Sequence, residues 1–383
     1  MTTAAYPSSI ENWWLAQWKQ QLARPPAPED IERLEQTIAR LSDTFTTART
    51  PEFGSYAARP DTLTAYGLFF FPQTFVRMRF ILREVFQRGH TPDPDTPLRV
   101  LDLGAGTGAA GLALLSELGG KRQGPVELVA MDQAHTALEF LQQLFNDLAP
   151  LWPKATLKTI AGDLSDEHAP EQGPWDVILV SYALNEMLAA HPGFNAQAWL
   201  ARLVQSLTPN GCLVICEPIV KDSPLRLEQL RDAVAASGLA RIVAPCLHHR
   251  PCPMRARDEW CHDVRRWQPP DSLQFLNRHL FRSIEVLKYS FLALSPATSP
   301  DIAGNASVAR LVSPVHEPKG KIAFRGCAAD GAMHGYEILA RHVTAADRGK
   351  MNALERGDRV ACGGLEALKD GRTLRAQRVT RQD

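Results

Sequence analysis

Three hydrophobic patterns follow one another along the chain. Up to residue 97 apolar residues recur at helical spacing. Trp13, Trp14 and Trp18 make one stripe, and Ile31, Leu34, Ile38 and Leu41 make a second. The Pro-rich stretch Arg24 to Pro28 separates these helices, and Gly54 to Pro60 makes another break before the aromatic run Tyr66 to Phe86. The segment TPDPDTP (91–97) holds three prolines and two acids, so it ends a helical N-terminal region spanning 1–97.

From 98 to 217 short apolar runs alternate with helical ones. LRVLDL (98–103), VELVAMD (126–132), TLKTIAGD (156–163), WDVILVSY (175–182) and GCLVICEP (211–218) read as strands. Helices are expected up to Leu118, over Ala134 to Leu148, and before the turn TPNG (208–211). This rhythm predicts an α/β fold with a doubly wound parallel sheet, its ligand at the carboxyl ends of the strands. Residues 241–270 interrupt it with Cys, His, Arg, Trp and Pro. Beyond them, 284–295 and 320–327 read as a terminal antiparallel strand pair of the same sheet. The domain then spans 98–330. The rest, 331–383, is a small, basic, β-rich C-terminal extension of short strands and turns.

Composition narrows the class. The 383 residues are 45% hydrophobic and 22% charged, with 42 basic and 42 acidic side chains, which excludes a polycationic nucleic-acid coat. No apolar run reaches the roughly 18–20 residues of a membrane span. The first twenty residues lack the pattern of a signal peptide, and Glu11 precedes the first arginine, Arg24, against a transit peptide. The expectation is a cytoplasmic monomer. Seven cysteines are too few for a secreted disulfide scaffold, so clustered ones suggest metal ligation or a reactive thiol.

Chemistry concentrates in two places. In LDLGAGTG (101–108), Gly104, Gly106 and Gly108 follow a strand and open a helix, letting the backbone approach a ligand. Asp102 lies at that strand end, Asp132 ends the next strand where a carboxylate can take ribose hydroxyls, and Asp163 ends the third near an adenine edge. Ala109 stands at the third glycine of a dinucleotide fingerprint, so spacing alone leaves a nicotinamide cofactor open. The wording of the turn resembles motif I of class I S-adenosylmethionine-dependent methyltransferases, which implies a Rossmann-like methyltransferase fold. At the fourth strand stands Ser181-Tyr182-Ala183-Leu184-Asn185-Glu186. Ser181 borders the cofactor, Tyr182 and Glu186 are candidate bases, and Asn185 is a candidate for orienting substrate. Capping or shaping the pocket is the competing role for Asn185 and Glu186.

The second place is APCLHHRPCPMRARDEWCH. Cys246, Cys252 and Cys261 have the spacing C-x5-C-x8-C, and prolines flank Cys252. Three thiolates need a fourth ligand to complete tetrahedral zinc or a four-iron cluster. Cys327, ending GKIAFRGC, is the best candidate, with His248, His249 and His262 as alternatives favouring zinc. Cys212 and Cys216 lie four apart on one side of an apolar strand and read as core. Cys362 stands alone in the tail.

Together, VLDLGAGTG, SYALNEM, LVICEP, VAPCLHHRPCPM and EWCH resemble the methyltransferase-like proteins of the mitochondrial small ribosomal subunit and their bacterial relatives, the Rsm-twenty-two type. The resemblance covers roughly 55–330. It implies a class I methyltransferase fold carrying a [4Fe–4S] cluster on Cys246, Cys252, Cys261 and Cys327. It also implies S-adenosylmethionine at Gly104, Gly106 and Gly108, and a role on the small ribosomal subunit and its rRNA, as methyltransferase or as silent assembly factor. One departure is Leu247-His248, where relatives often have Pro-His after the first cluster cysteine. The loop 241–267 also carries Arg241, Arg250, Arg255, Arg257, Arg265 and Arg266 with Trp260 and Trp267, which reads as an RNA contact. Arg372, Arg375, Arg378 and Arg381 suggest a basic stripe on one helical face or along a twisted strand. A small-molecule methyltransferase with structural zinc and a nicotinamide-linked enzyme are the competing readings.

Overall fold

The periodic N-terminal stripes become four helices in the computed structural model, which describes residues 5–46, 57, 59–165, 173–191, 193–220, 223–296 and 305–382. These are α1 (Ser8–Leu22), α2 (Pro28–Thr46), α3 (Pro60–Phe69) and α4 (Phe71–Val85). Trp13, Trp14, Leu34, Ile38 and Leu41 are buried as the spacing predicts, while Trp18 and Ile31 are only half-buried. The aromatic run packs on the same core: Trp14 stacks on Phe140 and tilts against Phe71. Much of the break before α3 lies outside the described residues.

The alternating region builds β1 (Leu98–Leu103), α5 (Ala109–Leu118), β2 (Val126–Asp132), α6 (His135–Asp147), β3 (Ala155–Ala161), β4 (Trp175–Ser181), α7 (Ala183–Ala190), α8 (Ala196–Gln205), β5 (Leu207–Glu217), α9 (Ser223–Ser237) and β6 (Ala240–Ala244). After the cysteine segment come β7 (Asp263–Arg266), α10 (Asp271–His279) and β8 (Val286–Pro296). The expected turn TPNG is instead the start of β5, where a register shift between Trp175 and Val177 accommodates it. The sheet runs β3-β2-β1-β4-β5-β8-β6, with β7 also on β8. Strands β1 to β5 are parallel, and β8 is antiparallel to both β5 and β6. Both faces are covered, so the strands alternate between two cores. Leu98 and Val100 join Leu112, Leu138 and Phe75 on one side, while Leu101 and Leu103 join Trp199 and Leu227 on the other.

This is the class I S-adenosylmethionine-dependent methyltransferase fold. A dinucleotide-binding sheet would run 3-2-1-4-5-6. Here the antiparallel β8 is wedged between β5 and β6, so the sheet does not have the order of a dinucleotide-binding one.

The C-terminal region departs from expectation. Strands β9 (Val308–Leu311), β10 (Lys321–Ala328) and β11 (Met333–Leu339), helix α11 (Ala345–Asn352), and strands β12 (Arg359–Gly363), β13 (Glu366–Ala367), β14 (Thr373–Arg375) and β15 (Arg378–Gln382) form a second sheet. The strand GKIAFRGC therefore belongs to this sheet and not to the first, where β6 and β7 pair with β8 instead. The expected division at 330 falls in the turn between β10 and β11, which are paired neighbours. The second sheet closes on itself. β14 pairs with β11, β15 pairs with β12, and the two are one chain segment. Ala376 N–H donates to Glu337 O (2.8 Å) and Gln377 N–H to Gly363 O (2.9 Å). Phe324, Tyr336, Leu311, Val360 and Cys362 fill the interior. Of the tail arginines, Arg375, Arg378 and Arg381 thus lie on strands and Arg372 in the bend before β14, none on a helical face, and Cys362 is a core residue. Cys212 and Cys216 are buried as expected. Among the described residues no helix is long and apolar enough to cross a membrane.

Candidate cofactor turn and cysteine cavity

The glycine turn sits between β1 and α5. Gly104, Gly106 and Gly108 have φ of 68°, 52° and 85°, a left-handed region where a side chain is strained. The three are not equivalent. A Cβ on Gly104 would lie 2.3 Å from Ala183 Cβ, and one on Gly108 would lie 2.2 Å from Leu141 Cδ1. One on Gly106 would meet nothing within 4 Å. Close packing therefore demands the outer two glycines, and the middle one faces open space.

Asp132 stands beside that space, half-buried at the end of β2. Its Oδ2 accepts from Gly106 N–H and its Oδ1 from Ala134 N–H, each at 2.8 Å. Burial raises its pKa against these hydrogen bonds. Asp102, by contrast, lies beneath the turn and is 1% exposed. Its Oδ2 accepts from Gly111 N–H (2.8 Å), and burial pushes it up to about 7. It shapes the start of α5 and does not line the open side. Asp163 is exposed, with Oδ1 accepting from Ser165 N–H (2.8 Å) and Oδ2 3.7 Å from His191 Nε2.

At the end of β4, the Ser181 hydroxyl is buried without a hydrogen-bond partner among the described residues. Tyr182 takes a left-handed φ of 64°, and its ring lies 5.7 Å from the Arg77 guanidinium carbon. Burial pushes its phenol well up. Asn185 is buried and donates through Nδ2 to Glu217 Oε2. Arg226 approaches Asn185 Oδ1 at 3.5 Å. Burial, with Asp132 and Glu217 adding negative charge, raises half-buried Glu186 well above its usual value. Glu217, which the sequence reading missed, is fully buried at the end of β5. The signal was available: a carboxylate closing the apolar run LVIC.

The cysteine cavity lies where the two sheets meet. Cys246, Cys252, Cys261 and Cys327 all line it, with Arg231, His248, Asp263 and Arg310. Three thiols come from the segment after β6 and one from β10 of the barrel. Each backbone stretch is tied down from outside the segment. Arg88, just beyond α4, donates to Val243 O, Pro245 O and Cys246 O at 3.0–3.1 Å. Cys252 N–H donates to Asp232 Oδ1 (2.9 Å), Cys261 N–H to Glu228 Oε1, and Ser290 Oγ to Cys261 O (2.8 Å). Arg231 Nε donates to Cys246 Sγ (3.3 Å), and His248 Nε2 lies 3.4 Å from Cys327 Sγ. Burial and mutual proximity push Cys252 up to about 12, and push Cys261 and Cys327 well up too. Among the described residues, no three His, Cys, Asp or Glu side chains close on a point that one metal ion would occupy.

Behind the cavity, Arg310 on β9 joins the two sheets. It is 2% exposed and donates to both oxygens of Glu84 on α4 (2.6 and 3.1 Å) and both of Asp263 on β7 (2.7 Å). Arg265 extends the network to Asp263 (3.1 Å) and Asp358 (3.3 Å). Of the loop expected to read RNA, Arg265 and Trp267 are committed inside the protein, while Arg241, Arg250, Arg255 and Arg257 are exposed. Arg265 is 3% exposed, and Trp267 is buried with Nε1 donating to Ile284 O (2.9 Å). Arg255 pairs with Asp232 and Arg257 with Glu259. Arg266 and Trp260 remain exposed.

With this geometry in hand, the sequence profile of the family described as mitochondrial small ribosomal subunit Rsm22 matches residues 60–359. The chain belongs to this family. The match takes in the glycine turn, all four cavity cysteines and the barrel from β9 through α11, and it ends at the start of β12. No curated protein matches the chain. Among solved structures, a putative class I S-adenosylmethionine-dependent methyltransferase from Listeria monocytogenes is similar at 13% identity, over 58% of this chain and 61% of that one (TM-score 0.35). A precorrin-6y C5,15-methyltransferase from Geobacter metallireducens matches at 10% identity over 56% and 87% (TM-score 0.34). A putative RNA methyltransferase from Pyrococcus horikoshii matches at 10% identity over 60% and 84% (TM-score 0.33).

Proposed function

We propose that the chain is an S-adenosylmethionine-binding, iron–sulfur protein that acts on the small ribosomal subunit through its rRNA. The observation that carries this reading is the meeting of four cysteine thiols from two sheets in one cavity, in a chain of this family. Zinc would need its sulfurs about 2.3 Å from one centre. The four side chains line one cavity, and the family resemblance implies a [4Fe–4S] cluster on Cys246, Cys252, Cys261 and Cys327. A bound cluster would take the thiols as thiolates and crosslink the two sheets.

The cofactor side rests on the open space above Gly106 and on Asp132 beside it. Gly106 gives the ligand room, and Asp132 offers acceptors for ribose hydroxyls. When bound, S-adenosylmethionine supplies an electrophilic methyl group. Burial shifts both Tyr182 and Glu186 up from their ordinary values. Asn185 is committed to Glu217. That commitment of Asn185 favours cofactor binding in ribosome assembly over methyl transfer.

The test is anaerobic purification followed by three measurements. About four iron and four sulfide per chain are expected, with calorimetric binding of S-adenosylmethionine and co-sedimentation with small ribosomal subunits. One zinc per chain without sulfide would overturn the cluster. Absence of cofactor binding would overturn the Gly106 site, and absence of co-sedimentation would overturn the ribosomal role.

A further inference from the structure

The topology of the second sheet carries an assignment of its own. In barrel order β9 neighbours β10, β10 neighbours β11, β11 neighbours β14/β15, and these return through β12 to β9. Numbered along the chain, with β14/β15 as one fifth strand, the order is 1-2-3-5-4-1. Every pairing is antiparallel except the third with the fifth. Helix α11 lies between the third and fourth strands, and its Met351 packs with Ile322 and Ile338 against one end of the barrel. This is the connectivity of a five-stranded OB-type barrel. Such barrels take oligonucleotides or oligosaccharides on strands two and three, between the 1–2 and 4–5 loops.

Fold does not decide function, so the face must be read from its side chains. Along β10, Ile322, Phe324, Gly326 and Ala328 are buried inward, which turns Lys321, Ala323, Arg325 and Cys327 outward. Their partners on β11 are Leu339, Glu337, Gly335 and Met333. The Cys327 end is committed to the cysteine cavity, and Arg325 pairs with Glu259 of the cysteine segment at 2.8 Å. The rest of the face is open. Its floor is small, with Ala323 and Gly335, and Lys321, Arg325 and Arg375 border it, each more than a third exposed. Two carboxylates stand in this row: Glu337, which Lys321 and Arg375 both pair with and cover, and exposed Glu366, opposite Arg375 on β13.

The 4–5 loop is a built hairpin against this strip. Asp370 accepts from Arg372 N–H, Thr373 N–H and Thr373 Oγ1, which holds Lys369 and Arg372 exposed beside Gly335 and Thr373. Three adjacent strands at about 4.8 Å spacing make a trough roughly 10 Å across. The cations bordering this trough suit the phosphates of one strand threaded along it.

We infer that the C-terminal barrel is a single-stranded RNA-binding module whose strip is Lys321, Ala323, Arg325, Gly335, Arg375 and the Lys369–Arg372 hairpin. It deepens the proposed rRNA association by naming the surface and the strandedness of its target. The cysteine cavity fixes the barrel's orientation.

The experiment is fluorescence anisotropy with the full chain and a labelled oligouridylate of about 12 nucleotides, a length suited to one such barrel. A duplex of equal length is the comparison. Wild type is expected to prefer the single strand at least tenfold. Lys369→Glu with Arg372→Glu should weaken that binding at least tenfold. Lys19→Glu with Arg278→Glu, which changes net charge equally on the helical N-terminal region and α10, should leave it within twofold. The neutral pair Lys369→Gln with Arg372→Gln keeps the test open if charge reversal disturbs folding. Removing two phosphate contacts should make the log Kd against log salt slope shallower by about 1.4. Equal binding of duplex and single strand, no binding by wild type, or an unchanged hairpin variant would each overturn the assignment. Co-sedimentation of the same variants separates the two readings. If wild type prefers single strands but does not bind small subunits, the barrel stands and the ribosomal role falls.

Discussion

The glycine turn and the cysteine cavity are built in opposite ways. The turn and its acid come from consecutive elements, β1, α5 and β2, whose positions follow from one parallel crossover. The cavity draws on β6, β7, β10 and the loops between them, and it is braced by Arg88, Glu84 and Arg310 from far along the chain. A local site can lose ligand contact and keep its fold. A site made between two sheets couples its ligands to the docking of those sheets. Damage to the cavity should therefore appear first as lost stability, and damage to the turn first as lost affinity.

The sharpest way to break this contrast is Arg310→Met. The change strands Glu84 and Asp263 as buried charges with one partner fewer, and losing one member of such a network costs about 3–5 kcal/mol. Denaturant unfolding should show that loss, or a separate early transition for the barrel. A variant as stable as wild type would mean that the barrel docks without this network.

Acid should act on the same network. Burial alone would raise the Glu84 carboxyl, but Arg310 and Arg88 more than reverse this and hold it at about 2, against an ordinary 4.5. Its folded pKa is depressed, so its contribution is full above pH 4.5 and is lost as pH falls from there toward 2. The shift corresponds to roughly 3 kcal/mol. Stability measured from pH 7 down to 3 should fall in wild type, and Glu84→Gln should flatten that slope. Equal slopes would place the acid-sensitive group elsewhere.

The same local-versus-distant distinction explains what the sequence disclosed. The strand 98–103 was legible to the residue, because an apolar run, an acid and a glycine turn bound it within ten positions. Cys246, Cys252 and Cys261 were legible as a group through spacing, whereas Cys327 rested on its place at the end of a late strand, with three histidines as alternatives. The sequence was read as short strands in the tail, and β10 as a strand, but their closure into a barrel escaped, because β9 has four residues, β13 two and β14 three, too few to show a period. Its closure depends on pairs such as Gln377 with Gly363, which no local pattern encodes. Arg265 looked like surface for a related reason. Strand alternation on β7 turns Asp263 and Arg265 inward together, and their partners, Arg310 for Asp263 and Asp358 for Arg265, come from the barrel far along the chain.

Within the turn, Gly108→Ala should have the next largest effect on stability. The new methyl would meet Leu141, itself fully buried, at 2.2 Å, on top of a left-handed backbone. Overpacking and strain together should cost about 2–3 kcal/mol. Thermal denaturation would show it, and a melting point matching wild type would mean that Leu141 can move aside without cost.

Gly106→Ala should disturb the fold least and inform most about the site. Its φ of 52° carries the left-handed penalty of about 1 kcal/mol, but no atom stands within 4 Å of the added carbon. The methyl would project into the open space beside Asp132, where the proposed cofactor would lie against the backbone. Affinity for S-adenosylmethionine should then fall at least about tenfold, or 1.4 kcal/mol, exceeding the loss in folding stability. The two glycine variants thus separate packing from binding at positions two residues apart. Calorimetric titration beside a thermal melt reads both quantities. If Gly106→Ala binds the cofactor as wild type does, the open space above the turn is not its seat.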